Sequence, residues 1–231
     1  MFELSPTEWT AIQLSLRVAT VATLVATPLG IAAAWLLARR DFWGKPVVDA
    51  AIHLPLVLPP VVTGYLLLLT FGRRGLVGAW LADHLGIVFA FRWTGAALAC
   101  GIMSFPLLVR PIRLSIEAVD LRLEQAAATL GAAPWRVFLT VTLPLALPGV
   151  LAGMVLGFAK AIGEFGATIT FVSNIPGETQ TISSAIYSLI QTPDGDAAAL
   201  RLVAVSIVIA MSAMIASEWF ARRALLRLHG N

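Results

Sequence analysis

The side chains able to do chemistry are few. Lys160 and Glu164 stand four residues apart, the spacing at which a helix brings an ammonium and a carboxylate together and cancels both charges. An ionisable group inside an apolar stretch is a functional candidate in its own right. His53, His84 and His229 show no metal-ligand spacing. The single cysteine, Cys100, has no second thiol to pair with. No Gly-rich phosphate loop occurs, so the chain carries no nucleotide-hydrolysis motif of its own. A membrane-embedded hydrolase or transferase needs paired carboxylates, clustered histidines or a Ser/His constellation; only Glu164 and the scattered histidines offer themselves. The remaining polar candidates are hydroxyls beside helix breakers: Thr63 after Pro59-Pro60, Ser104 before Pro106, and Thr168 and Thr170 after Glu164-Phe165-Gly166. For each hydroxyl the competing reading is a bond to the carbonyl one turn back in its own helix.

These residues sit in a chain of 231 residues that is 58% hydrophobic and 13% charged, with a mean hydropathy of +0.86. Soluble domains run at about 45–50% apolar and roughly 25% charged. The gap excludes a disordered chain, a coiled coil and an ordinary soluble enzyme, and makes lipid the solvent. The formal charge of +3 then reports cytoplasmic Lys and Arg rather than nucleic-acid binding. Glu3 and Glu8 precede the first cation, Arg17, which is not a signal-peptide pattern. The first apolar segment is expected to stay as a helix.

The sequence predicts a single all-α membrane domain over 1–231 with five spans, at about 10–38, 50–72, 90–115, 143–165 and 198–220. Ser5-Pro6-Thr7-Glu8 reads as a capping box with Pro at the first helical position. Pro55, Pro59 and Pro60 predict a broken second span, tolerated only where protein or a water-filled cavity covers it. The stretch 179–192 is uncharged but short, the length of a re-entrant or interfacial segment. Ten of the sixteen Lys and Arg fall on one side of this arrangement: Arg39, Arg40 and Lys45; Arg110, Arg113, Arg122 and Arg136; Arg222, Arg223 and Arg227. That side is expected to be cytoplasmic, with the N-terminus periplasmic and the C-terminus cytoplasmic. Arg73 and Arg74 run against this bias.

The cytoplasmic loop 117–136 and the entry to the fourth span carry the most specific pattern. Glu124-Gln125-Ala126-Ala127-Ala128-Thr129-Leu130-Gly131 is followed nine residues on by Val141-Thr142-Leu143-Pro144. Leu121–Leu130 reads as a short surface helix, Gly131 as its left-handed terminator and Pro134 as the start of another. Ala126 and Ala127 leave one face nearly flat, as small residues do where helices dock closely. Glu124, Arg122 and Arg136 are then placed to pair across such a contact. An interfacial connector resting on headgroups fits the same spacing.

This stretch resembles the EAA loop of binding-protein-dependent ABC importer permeases, E-A-A-x3-G-x9-I-x-L-P. Ala126, Ala127, Gly131, Val141, Leu143 and Pro144 fall in register. The departure is at the first position, where Gln125 stands and Glu124 lies one residue earlier. HLPLVLPPVVTGYLLL (53–68), GRRG (72–75), MSFPLLVRPIRL (103–114) and GEFGATITFVSNIPGETQTI (163–182) extend the resemblance to the molybdate permease branch. Sulfate and thiosulfate permeases share several of these stretches, and tungstate is a third candidate substrate.

The resemblance implies a type I (MetI-like) helical bundle in a bacterial inner membrane, working as a homodimer. It implies two ATP-binding subunits beneath, which handle ATP and Mg2+, and a periplasmic molybdate-binding protein above. The chain itself would bind no cofactor and have no catalytic site. Glu124, Gln125, Ala126, Ala127, Gly131, Arg136, Leu143 and Pro144 would form the ATPase-coupling element. Molybdate is a dianion, and full Lys or Arg compensation along its path would trap it. Hydroxyls, freed N–H groups and helix N-termini suit the task better. Thr63, Ser104, Glu164, Phe165 and Gly166 are therefore the expected path and gate, with Phe165 as plug and Gly166 as flexible point; an ion pair at a helix end is the alternative for Glu164. Arg110 and Arg113 are either positive-inside anchors or attractors of the departing oxyanion. A membrane enzyme, a channel and a scaffold remain as competing classes, none of which needs an ATPase-docking helix.

Overall fold

The computed structural model describes residues 4–228, with side chains through Ala216 together with Trp219. The tail arginines Arg222, Arg223 and Arg227 therefore lie outside the described side chains. Eleven α-helices follow in chain order among the described residues: α1 Pro6–Arg39, α2 Lys45–Val57, α3 Pro60–Phe71, α4 Leu76–Leu85, α5 Trp93–Glu117, α6 Leu121–Thr129, α7 Pro134–Val137, α8 Leu143–Ile162, α9 Gly166–Val172, α10 Ile182–Leu189 and α11 Asp196–Leu228. A π-helical turn, Phe138–Thr142, joins α7 to α8.

Helix α1 starts where the capping box places it. Ser5 Oγ accepts the Glu8 N–H at 3.2 Å, and the Glu8 carboxylate accepts the Ser5 N–H at 2.6 Å. Its 34 residues span about 50 Å at roughly 1.5 Å per residue, more than a hydrocarbon core of about 30 Å. Four helical segments are long and apolar enough to cross: Pro6–Arg39, Trp93–Glu117, Pro134–Ile162 and Asp196–Ala216. The expected second span, 50–72, is the exception. It is two helices, α2 and α3, bent by 114° at Leu58-Pro59, and it makes a fifth span only when the pair is counted as one. Adjacent prolines remove two N–H donors and clash with the preceding turn, so a straight helix cannot pass. Helix α4 was not anticipated. The segment 179–192 holds only the eight residues of α10, about 12 Å long and too short to span.

Helix α5 is the centre of the bundle, packed chiefly against α8 and α1. Leu108, Val109, Ile112 and Ile116 form its buried face, meeting Ala34 of α1 and Ala146 and Val150 of α8. A second buried cluster joins Val18 and Ala22 to Cys100, Met103 and Phe171. The crossings are close because the contacts are small: a Cβ on Gly153 would lie 2.6 Å from the Leu108 carbonyl oxygen. Helix α10 is tied to α1 by the Ile182 N–H, which donates to Ser15 Oγ at 2.7 Å. Glu8, 4% exposed, meets Arg201 at 2.9 Å and joins the starts of α1 and α11.

Candidate functional site

The loop between α5 and α8 is built from local signals. The Asp120 side chain caps α6 by accepting the Arg122 N–H at 2.9 Å. The helix stops at Gly131, whose φ of +85° lies in the left-handed region, and the Ala132 N–H closes back on the Ala127 carbonyl at 3.2 Å. Pro134 opens α7 as its first residue. Pro144 has no N–H for the carbonyl four residues back and crowds it. The preceding turn widens accordingly, and the Leu143 N–H reaches the Phe138 carbonyl, five residues back. Leu143 packs against the α1–α5–α8 core.

Glu124 departs from the expectation that it pairs across a protein contact. It turns inward: Arg39 Nη2 and Nε donate to its Oε1 at 2.8 and 3.1 Å, and Thr142 Oγ1 donates to the same atom at 2.9 Å. Arg39 also donates to the Val119 carbonyl at 3.0 Å. Glu124 thus fastens α6 to the end of α1 and to the π turn. Gln125 and Ala126 are exposed, Ala127 is half-buried, and Leu130 and Trp135 stand out at 88% and 61% exposure. Arg136 lies over the Trp135 ring at 5.2 Å. The outward face of the loop therefore sets exposed Leu130 and Trp135 beside the small Ala126, and its polar groups include Arg122, Gln125 and Arg136.

The second cluster lies where α3 meets α9. A Cβ on Gly64 would sit 2.6 Å from the Ala167 carbonyl oxygen, and one on Gly166 would sit 2.7 Å from Pro60 Cβ. Gly166 therefore stands at a close approach to Pro60 that a larger side chain would obstruct. Lys160 Nζ donates to Glu164 Oε2 at 2.6 Å, as the spacing predicts, and the Ala167 N–H donates to Oε1 at 3.0 Å. Glu164 is 2% exposed; its charge is spent on Lys160 and on the first turn of α9. Phe165 packs on Tyr187 of α10 with ring centroids 4.9 Å apart. The hydroxyls divide. Thr168 donates to the Phe165 carbonyl at 2.9 Å, Thr170 to Gly166 at 2.9 Å, and Ser104 to Gly101 at 3.2 Å, each within its own helix or its cap. Thr63 Oγ1, buried, has no partner. Ser104 stands apart from this junction, against Gly157 of α8.

Arg113 is not a free attractor of anions. It donates to Asp49 Oδ1 at 2.9 Å and to Glu117 Oε1 at 2.8 Å, and so holds α2 to α5. The Asp49–Arg113, Arg39–Glu124 and Glu8–Arg201 pairs escaped sequence reasoning because each joins residues far apart in the chain. Among the described residues no cluster of His, Cys, Asp and Glu could hold a metal.

An all-helical, multi-pass membrane bundle with a flat, outward-facing loop between two of its long helices is the architecture of an ABC importer permease. The model of the family described as "Binding-protein-dependent transport system inner membrane component" matches residues 26–225, and the chain belongs to that family. It is an inner-membrane transport subunit. It is 61% identical over 219 residues to the "Molybdenum transport system permease protein ModB" of Escherichia coli K12, covering 95% of this chain and 96% of the relative. It is 57% identical over 216 residues to the protein of that name from Haemophilus influenzae, covering 94% of each. Among solved structures, a bacterial ABC transporter that imports the acidic polysaccharide alginate matches with a TM-score of 0.74 at 19% identity, over 95% of this chain and 80% of that one.

Proposed function

We propose that this chain is the transmembrane subunit of an ATP-driven molybdate importer. The observation that carries the reading is the near-full-length identity to permeases named for molybdenum transport. The chain acts as one domain over its whole length and as a pair of copies, with two ATP-binding subunits on the cytoplasmic side and a periplasmic molybdate-binding protein on the other. Its N-terminus faces the periplasm and its C-terminus the cytoplasm, as the Lys and Arg distribution favours. ATP and Mg2+ belong to the partner subunits, and no chemical step belongs to this chain.

In this reading Gln125, Ala126, Ala127, Gly131 and Arg136 present the docking surface, while Glu124, Leu143 and Pro144 transmit its movement into α1 and α8. The supporting observation is the division of the loop into an exposed flat face and an anchored inner face. The helix breaks at Pro59-Pro60 and Glu164-Phe165-Gly166 form the gate, supported by their mutual contact. With Lys160 cancelling Glu164, no net charge at the gate repels or holds a dianion.

The test is molybdate uptake by cells whose own molybdate transporter is deleted. Supplying this chain with its ATPase and binding protein is expected to restore uptake from micromolar molybdate and to leave sulfate uptake unchanged. Restoration of sulfate but not molybdate uptake would overturn the substrate.

A further inference from the structure

We infer that the first turn of α3 is a transient oxyanion-coordinating site, with the Thr63 hydroxyl and the Val61 N–H as its donors. This rests on the chain being an oxyanion permease and assigns the contact that such a path needs.

Three observations converge on this turn. Thr63 Oγ1 is buried and unpartnered, on a residue 6% exposed. Several helical threonines in this chain bond the preceding turn, as Thr27 does to Thr23, Thr70 to Leu66 and Thr170 to Gly166; Thr63 and Thr23 do not. At Thr63 that turn is the proline break, where the Pro59 carbonyl already accepts from Val62 and Thr63 N–H groups. Second, Val61 is the second residue of α3, where a helix's first N–H groups have no partner within the helix, and Pro60 before it has no N–H at all. Third, Gly166 leaves this spot bare. A Cβ there would lie 3.4 Å from the Val61 nitrogen. The start of α3 carries the positive end of a twelve-residue helix, and half-helix N-termini at broken spans are where transporters hold anionic groups.

The chemistry suits a tetrahedral dianion that must leave again. One hydroxyl, one N–H and a helix end attract an oxyanion without a fixed cation to trap it. The nearby charges, Lys160 and Glu164, are bonded to each other. In this closed arrangement Thr63 Oγ1 is covered, so an ion reaches it only when α3 and α9 part. The site is then formed and lost within one transport cycle.

The experiment uses the complete complex of permease, ATPase and binding protein in proteoliposomes, with molybdate as the probe. Wild-type uptake is measured first; its absence would defeat the proposed function itself. Given wild-type uptake, T63V and T63A are each expected to lower molybdate taken up per ATP hydrolysed by about tenfold, the worth of one hydrogen bond to a charged group. T63S, which keeps the hydroxyl, is expected to stay within twofold of wild type. T23V serves as control, since Thr23 Oγ1 is also buried and unpartnered but lies within the continuous helix α1. Full uptake by T63V and T63A would overturn the site, because an unneeded orphan hydroxyl is lost without penalty. Equal loss in T63S and T63V would overturn it too, by showing that packing and not the hydroxyl matters.

Discussion

Arg39 and Glu124, eighty-five residues apart in the chain, meet at 2.8 Å with side chains only 11% and 19% exposed. The pair joins the last turn of α1 to the helix that presents the flat outer face of the loop. In the proposed coupling role, this pair is the link by which a push on α6 reaches α1. Thr142, bonded to the same carboxylate oxygen, extends that link to the π turn at the foot of α8.

Removing one partner of this pair tests that linkage. Glu124→Ala leaves Arg39 with only the Val119 carbonyl and is expected to lower stability by about 2 kcal/mol, the scale of a lost charged hydrogen bond. It is also expected to reduce binding-protein-stimulated ATP hydrolysis. Gln125→Ala, at an exposed position, should leave the melting temperature unchanged and weaken only association with the ATPase. Thermal unfolding in detergent and ATPase assays of the complex separate the two.

Gly131 holds a positive φ that other residues adopt at a penalty of about 1–2 kcal/mol. Gly131→Ala is expected to show that loss without abolishing assembly. Gly131→Arg adds bulk and charge to the docking face and should abolish co-purification of the ATP-binding subunit while the permease still reaches the membrane. Retained co-purification would argue that the partner docks elsewhere.

Glu164 and Lys160 are expected to matter as a pair. Glu164→Gln keeps an acceptor for the Ala167 N–H and leaves Lys160 uncancelled beside the gate, where it should hold a dianion and slow transport several-fold. The double substitution Lys160→Met with Glu164→Gln removes the excess charge and should recover most of the rate. Uptake kinetics in proteoliposomes decide; no recovery in the double variant would mean that the pair acts structurally.

Glu8 is buried against Arg201, and breaking a buried pair by removing one partner costs about 3–5 kcal/mol. Arg201→Ala should therefore lower the melting temperature markedly. Glu8→Gln combined with Arg201→Met should be milder than Arg201→Ala alone, as measured by unfolding of the purified permease.

What could be read from the sequence was local. The Ser5–Glu8 capping box, the Gly131 stop, the Pro134 start and the Lys160–Glu164 pair each depend on neighbours within four residues, and each stands as its spacing implied. The proline cluster announced a break but neither its 114° angle nor the packing of α3 against α9, a helix about a hundred residues further along the chain. The inward turn of Glu124 was hidden because its partner comes from another helix. Thr63 was one of several similar hydroxyls in the sequence. Only the burial and the missing acceptor set it apart.

In the proposed function this chain passes molybdate when a loaded binding protein drives the attached ATPase. The most direct measurement is ATP hydrolysis and molybdate accumulation by the reconstituted complex, with molybdate-loaded and with sulfate-loaded binding protein. Stimulation and accumulation with molybdate alone are the predicted result. Equal stimulation with empty binding protein, or accumulation of sulfate in place of molybdate, would contradict it.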